Sequence, residues 1–416
     1  MRLFTLLLLL LSSLLPAQRS LQGMLTDAST GEPLSYTYVF LEKDQQQGVI
    51  SNERGEYQIT LDSTQMTGRL VFSLMSYQTH YLRLADLEPD QTHYNLQLST
   101  SFLELQEIVI LSDIGLRTIV ESALANIPNI YGTKDYLLKG YFRKYDIDNQ
   151  EYAQLVEAMV TIKDETYDDP ERGVKAWIDE FRMSDYTGTG QERFQTRKNK
   201  QHALLGGYPN PMNGIRSHHL HWVTSITGGH DNLRFTNRGE YLEGKDTLIR
   251  IAYNWDLKAI GANAEQQARL SDYFTGEVLI NRTENAILRN TQGNAGKGFF
   301  SDAVYQKVNG KYYLKQLSRG GKLRYDSLQQ SHFYQSILYV TDVITEAKQK
   351  KAYRKGNRIN DELTLEDVRT PYDPKFWAAN PMMVKLPAPA ALEIGLSRLR
   401  SLEEQFRGNA RKVVKE

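Results

Sequence analysis

The chain of 416 residues contains no cysteine. This absence excludes disulfide bonds, thiolate catalysis and metal sites with cysteine ligands. It also excludes anchoring as an exported bacterial lipoprotein, which needs a cysteine directly after its signal. An excess of charge of one sign is missing as well, because 50 Lys and Arg residues balance 50 Asp and Glu residues. A chain without excess positive charge is not strongly attracted to the phosphates of nucleic acid, so no nucleic-acid partner is expected.

One long apolar run is present, and it lies at the front of the chain. A basic residue, Arg2, precedes a leucine-rich run from Leu3 to Leu15, which is shorter than the roughly 20 residues that cross a bilayer. A basic start, an apolar run and a small residue at Ala17 are typical of a secretory signal. We expect residues 1–17 to be a signal peptide, and the mature protein to have no transmembrane span. The expected location is the periplasm or the outer-membrane periphery.

Residues 18–111 carry the pattern of a small all-β domain. Apolar and polar residues alternate in short runs such as 36–41, 57–61 and 94–98, and turn residues separate these runs. About seven short strands in about 90 residues predict a β-sandwich. The segment 52–55 predicts a hairpin turn in which Gly55 takes the left-handed conformation.

The same residues carry an ordered family pattern. It consists of Gly23, Asp27, Thr30 to Leu34, Ser51 to Tyr57, Leu70 to Ser73 and Ser76-Tyr77-Gln78. On these residues the module resembles the carboxypeptidase-regulatory-like domain, a transthyretin-like sandwich common in exported Bacteroidetes proteins. The resemblance implies an accessory domain, not a peptidase. The eight histidines agree, because none has the glutamate three residues further on that a zinc carboxypeptidase uses.

The chain behind this module predicts one helix followed by a large sheet. Apolar residues at helical spacing from Leu116 to Ile127 predict a linking helix over 112–130, capped by Ser112 or Asp113. Long alternating runs with hairpin signals predict an antiparallel sheet domain over 131–348. Residues 349–416 are expected to be a C-terminal extension that ends in one helix. The apolar face of that helix is expected to carry Leu392, Leu396, Leu399 and Phe406.

These elements define the expected fold class. We expect a mainly β protein with minor α content. An N-terminal seven-stranded β-sandwich would precede a large curved antiparallel sheet, similar to a half-barrel, with a few helices.

The second region also resembles known proteins, on shorter motifs. Gly140-Tyr141-Phe142-Arg143, Asn309 to Leu314 and Tyr372 to Trp377 are similar to motifs of uncharacterised exported Bacteroidetes proteins. Those proteins place such a region directly after the regulatory-like sandwich. The strand pattern also resembles the curved half-barrel of periplasmic lipoprotein carriers, which hold acyl chains against a concave sheet. This is an analogy of fold, and it does not by itself establish a ligand.

Two interpretations of the candidate site residues stay open. The cluster around His219 and His221, with His230 nearby, is the densest group of metal-capable side chains, and these three histidines would suit zinc or nickel. The alternative is a polar loop in which these histidines are exposed to solvent. Aromatic residues on the later strands would line a cavity for a lipid or glycan, although core packing explains such stripes more often.

Two other patterns fail at a required position. Asp146 and Asp148 imitate the start of a calcium loop, but Glu151 stands where the sharp turn needs glycine, so a hairpin turn is expected. The segment 293–298 lacks the first glycine of a phosphate-binding loop and the Ser or Thr that follows its lysine. No cofactor is therefore expected.

The sequence favours a non-enzymatic exported protein, periplasmic or associated with the outer membrane. Its sandwich would dock to an envelope protein, and its large sheet would be a scaffold or bind an apolar ligand such as a lipid or glycan. The alternative is a hydrolase or carbohydrate-active enzyme with its site in the loop 188–229. That loop is long for a regular sheet domain and rich in Gly, Asn, Pro and His.

Overall fold

The structure is a computed structural model of the chain, and it divides into two compact units. One comprises Met1–Phe102 and Pro374–Glu393, and the other Leu103–Asp373 and Ile394–Glu416. The residues that the structure describes are 18–74, 77–100, 112–132, 134–164, 174–188, 215–220, 232–243, 245–258, 261, 263–264, 267, 275–293, 299–325, 330–346, 350, 357–359, 372–379 and 390–414. Within these ranges, no helix is long and apolar enough to cross a membrane.

The first unit contains a sandwich of two small sheets. Its strands are β1 (Gln18–Asp27), β2 (Tyr38–Leu41), β3 (Asp44–Ile50), β4 (Glu56–Asp62), β5 (Arg69–Ser73), β6 (His80–Arg83) and β7 (Leu96–Leu98). One sheet has the order β4-β1-β7 and the other the order β3-β2-β5-β6. Alternate residues of both sheets, such as Leu21 and Ile59 from one and Val39 and Phe72 from the other, meet in a single core. The predicted seven-stranded sandwich is confirmed.

The turn at 52–55 differs from the prediction. It joins β3 to β4, which lie in different sheets, so it is not a hairpin. Gly55 does have the expected left-handed conformation, with φ 75°. Asn52 Oδ1 accepts hydrogen bonds from the backbone N–H groups of Arg54 and Glu56. Because the asparagine supplies the bonds of the turn, the turn forms without paired strands on either side.

The second unit is built on one antiparallel sheet, in which the described residues supply eleven strands. They are β8 (Tyr136–Asp148), β9 (Glu151–Asp164), β10 (Val174–Met183), β11 (Leu233–Glu243), β12 (Asp246–Trp255), β13 (Thr275–Asn281), β14 (Ala286–Gly293), β15 (Phe300–Val308), β16 (Lys311–Tyr325), β17 (Gln330–Ile344) and β18 (Asn357–Ile359). Their order is β11-β12-β13-β14-β15-β16-β17-β8-β9-β10-β18. The expected mainly β fold with a large antiparallel sheet is confirmed.

Turn residues fix the register of the hairpins. Asn309 and Gly310 have φ values of 49° and 79° between β15 and β16, as the Asn-Gly pair predicts. Asn149 and Gln150 have φ values of 48° and 74° between β8 and β9. The segment that imitates a calcium loop is therefore a hairpin turn, as expected.

The described helices are α1 (Asp113–Ala125), α2 (Ile127–Ile130), α3 (Pro374–Ala379), α4 (Ala390–Leu396) and α5 (Leu402–Val414). Ser112 caps α1 by accepting the N–H of Gly115. The expected single C-terminal helix is in fact two, α4 and α5. Ser401 and Glu404 form reciprocal side-chain to backbone bonds that start α5. Leu399 lies between the two helices and is 91% exposed, so it belongs to no apolar helix face.

The two faces of the large sheet differ in chemistry. Helix α1 packs Leu116 and Val120 against one face, among residues such as Ile251 and Val278. We call it the core face, and direct pairing from strand to strand places Phe142 on it as well. The neighbouring residues of each strand point to the other side. We call that side the charged face, since its residues include Arg143, Glu157, Arg182, Arg250, Glu277, Arg289 and Asp302.

Candidate functional site

The structure describes only part of the predicted histidine site. His219 lies in the short 3₁₀ turn Ser217–His219. Its side chain, His221 and His230 lie outside the described residues, so the metal site stays a prediction. The neighbouring His218 is buried, and its ring stacks on that of Tyr131 with the ring centres 4.3 Å apart.

The described part of the histidine-rich loop closes a small cleft on the core face. Arg216 Nε and Tyr136 OH both donate to Asp164 Oδ2, each at 2.9 Å. The backbone N–H of His218 donates to Tyr305 OH at 2.9 Å. The cleft encloses about 10 Å³, which is about the room that one water molecule needs. These contacts fasten the loop to the sheet, and the cleft is too small for a lipid or a sugar.

Several aromatic residues of the later strands are core residues. Tyr305, Tyr312, Tyr313 and Tyr334 are all buried. The ring of Tyr131 packs against those of Tyr305 and Tyr312 at 5.8 and 5.6 Å between ring centres. Burial raises the pKa of Tyr305 and of Tyr312. For these tyrosines the structure favours the packing interpretation over a cavity lining.

A row of polar side chains crosses the core face. Its members lie directly opposite one another on β14, β15, β16, β17 and β8. We call it the donor row, and it consists of Gln292, Ser301, Arg319, Ser336 and Lys144. Arg319 is partly buried, and the other four side chains belong to residues that are at most 8% exposed.

Two atoms of the donor row have no hydrogen-bond acceptor in the described part of the chain. They are Nε2 of Gln292 and Nε of Arg319, and both atoms are buried. The guanidinium carbon of Arg319 lies 5.3 Å from the ring centre of Phe299. Burial lowers the pKa of Arg319, the direction expected for a cation that leaves water.

The other cation of the donor row is paired. Lys144 Nζ lies 3.0 Å from Asp146 Oδ2, and both side chains are buried. Nearby, Tyr186 OH donates to Asp148 Oδ2 at 2.6 Å. Of the two cations in the donor row, Arg319 is therefore the one without a counter-charge among the described residues.

An apolar band lies beside the donor row on the same face. It crosses six strands, from β15 to β10, and it is completely buried. The residues directly opposite one another in its first row are Ala303, Leu317, Leu338, Phe142, Ala158 and Phe181, none more than 4% exposed. Val340, Val160 and Ile178 continue the band one row further, and none is more than 2% exposed.

The charged face holds a buried ion network on β8, β9 and β10, which shares only β8 with the donor row. Glu157 lies opposite both Arg143 on β8 and Arg182 on β10. Its Oε1 accepts from Arg143 Nε at 3.2 Å and from Tyr141 OH, and its Oε2 accepts from Arg182 Nε at 2.6 Å. Burial alone would raise the pKa of Glu157, but Arg182 and Arg143 outweigh burial and hold that pKa below its ordinary value. Arg182 also lies 4.6 Å from the ring centre of Phe406, which ties α5 to the sheet.

The motif scan of the sequence missed the donor row. Its residues come from five strands and share no local motif. One signal was present, since Lys144, Ser336 and Arg319 each stand two positions from an apolar residue of the core face. Polar residues at inward positions of strands depart from the expected alternation, and such departures mark candidate sites.

The first module belongs to a described family. Residues 21–110 match the model of the CarboxypepD_reg-like domain, and they form such a domain, so the predicted resemblance is confirmed. Within it, Asp27 Oδ1 accepts from Ser29 and Thr30, and Asp27 Oδ2 accepts from Tyr77 OH at 2.7 Å. The hydrogen bonds from Ser29 and Tyr77 hold the pKa of Asp27 well below its usual range. These motif residues therefore fix a loop of the sandwich.

The whole chain was also compared with known proteins. No curated protein matches it. Solved structures that match the chain include a putative outer membrane lipoprotein-sorting protein domain from Vibrio parahaemolyticus (8% identity, TM-score 0.26, 57% of this chain and 98% of that one). A LolA superfamily protein from Nitrosomonas europaea has 9% identity and a TM-score of 0.22, over 59% of this chain and 98% of that one. A putative membrane-associated protein from Bacteroides fragilis has 9% identity and a TM-score of 0.16, over 79% and 99%. At these TM-scores the likenesses carry no argument about function.

Proposed function

We propose that this protein is a non-enzymatic binding protein of the cell envelope, and that the core face of its large sheet holds an amphiphile. The apolar chain of the ligand lies along the apolar band, and its polar end lies at the donor row. The layout of the core face carries the proposal, because an apolar band lies there beside polar groups that include two buried donors without described acceptors. The band is covered in the ligand-free chain, so the alkyl chain of the ligand takes the place of the side chains that cover it. The expected signal over 1–17 supports an envelope location, and the sandwich would dock to an envelope protein.

The apolar band has dimensions that suit an alkyl chain. With about 4.8 Å between neighbouring strands, its six strands span about 24 Å. Burial of an alkyl chain is favourable by about 0.8 kcal/mol per CH₂ group before the cost of association is subtracted. For a dozen carbons this gross gain is about 10 kcal/mol. It is offset by the cost of association and of displacing the side chains that cover the band, so contacts at the polar end add to the affinity.

The proposal is tested by native mass spectrometry of protein purified from the periplasm, with dodecan-1-ol as the added probe. We expect one bound alcohol per chain. Ala303→Leu adds volume within the apolar band, and overpacking by about 1 kcal/mol corresponds to about a fivefold loss of affinity. Val304→Leu is the matched control, because Val304 is the next residue of the same strand and lies on the charged face. Circular dichroism shows whether each variant is folded.

The same spectra separate the proposal from its alternatives. One zinc ion per chain that is lost in His219→Ala would support the hydrolase hypothesis and the site predicted at His219, His221 and His230. Folded protein that binds neither the alcohol nor a metal ion would contradict both ligand hypotheses, and would leave the large sheet as a scaffold.

A further inference from the structure

The donor row has one uncompensated positive charge. Lys144 is matched by Asp146, whereas no carboxylate of the described residues pairs with Arg319, and its buried Nε has no acceptor. Arg319 is partly exposed, so its guanidinium is open to a ligand, and a buried donor without an acceptor, such as its Nε, is unfavourable. An ordered water molecule would satisfy the donor but not the charge, so the chemistry of Arg319 calls for an anion.

A second unpaired donor lies on the same row. Gln292 and Arg319 both lie opposite Ser301, one from each side. Because Ser301 is small and stands between two long side chains, Gln292 and Arg319 can reach one group above it. The guanidinium carbon of Arg319 lies over the Phe299 ring, and a cation–π contact of this kind takes up none of the hydrogen-bond donors.

We propose that Arg319 and Gln292 bind the anionic oxygen group of the ligand, a carboxylate or a phosphate. This inference rests on the function proposed above and adds the chemical class of the head group. The guanidinium supplies charge and a directed N–H group, and the Gln292 amide supplies a neutral N–H group. Selection for an anion therefore depends on Arg319, and Gln292 adds affinity.

The test compares ligands that share a chain of twelve carbons. Isothermal titration calorimetry on the full mature chain uses dodecanoate, dodecyl phosphate and dodecan-1-ol, with inorganic phosphate as the probe without a chain. We expect the two anions to bind about tenfold or more tightly than the alcohol, the size expected of a hydrogen bond to a charged group. Arg319→Gln should abolish this preference, so that the two anions and dodecan-1-ol bind with similar affinity. Gln292→Met should weaken dodecanoate binding by about fivefold.

A matched control variant is available on the other face of the sheet. Arg289 pairs with Asp302 at 2.7 Å on the charged face, so Arg289→Gln removes one positive charge without touching the donor row. This variant should keep the full preference for anions. If Arg319→Gln does not fold, Arg319→Met gives the same comparison, because methionine also removes the charge and the donors and keeps a long side chain.

The outcomes distinguish this inference from the proposed function. Equal affinities for the three twelve-carbon probes, or a preference for anions that survives Arg319→Gln, would overturn the inference and leave the proposed function in place. Binding of inorganic phosphate that depends on Arg319, without binding of any twelve-carbon probe, would support the anion site and contradict the amphiphile.

Discussion

The two faces of the large sheet each carry a row of polar groups, and the two rows differ in how their charges are compensated. On the charged face, both oxygens of Glu157 are bonded to arginines. On the core face, Arg319 and Gln292 keep buried donors without described acceptors. A fully bonded network stabilises one arrangement, whereas an unpaired buried donor is a cost that calls for another explanation. The pairing of charges therefore separates the structural row from the candidate binding row.

The largest effect on stability is expected at Glu157, because both of its oxygens are paired with arginines. Glu157→Gln keeps the shape of the side chain but leaves Arg143 and Arg182 without a counter-charge. Since Arg143 and Glu157 are fully buried, the free energy of unfolding should fall by about 3–5 kcal/mol. Urea denaturation, followed by far-ultraviolet circular dichroism, measures this loss.

A second carboxylate of the charged face is the control for that variant. Glu277 stands in the same transverse row as Glu157, and it pairs with Arg250 at 2.7 Å where both side chains are about one-third exposed. Glu277→Gln should cost less than about 1 kcal/mol, because water screens an exposed pair. Equal losses for Glu157→Gln and Glu277→Gln would show that burial of the network adds nothing.

A smaller effect is expected from acid. The pKa of Glu157 is lower in the folded chain than its ordinary value, so its ionised form stabilises the fold at pH values above the pKa of an unfolded glutamate. This contribution is lost as the pH falls below about 4.5 and through the folded pKa. The free energy of unfolding should therefore drop between about pH 5 and pH 3, and the drop should be shallower in Glu157→Gln. Parallel pH profiles of the two proteins would contradict the role given to this carboxylate.

Much of the fold follows from local signals in the sequence. Alternation and turn residues predict the sandwich and the hairpins because both depend on residues close together in the chain. The turn at 52–55 shows the limit of this information, since the same residues form the turn whether the flanking strands pair or lie in different sheets. The end of the chain was misassigned for a different reason. Its Ser401 to Glu404 capping pattern is visible in the sequence and separates α4 from α5.

The candidate site is less accessible to sequence reasoning. The pairing of β17 with β8 places Ser336 opposite Lys144, although nearly half of the chain separates them. Register between such distant strands is set by the whole sheet, so neither the donor row nor the ion network is visible as a motif. Only the identity of the inward polar residues could have been marked from the sequence.

The smallest effect on stability, and the sharpest test of the contrast, is expected at Arg319. Arg319→Met removes an uncompensated charge and keeps a long apolar side chain in its place. The loss of the contact with Phe299 would cost about 0.5–1 kcal/mol, and the relief of an unpaired buried donor would return about 1–3 kcal/mol. The free energy of unfolding of ligand-free protein should therefore stay unchanged or rise by up to about 2.5 kcal/mol in urea denaturation.

Arg143→Met, on the other face, is the control. It should lower the free energy of unfolding by several kcal/mol, because it removes a partner of buried Glu157. A loss at Arg319 as large as that at Arg143 would make both rows structural and would remove the reason to assign an anion to the core face.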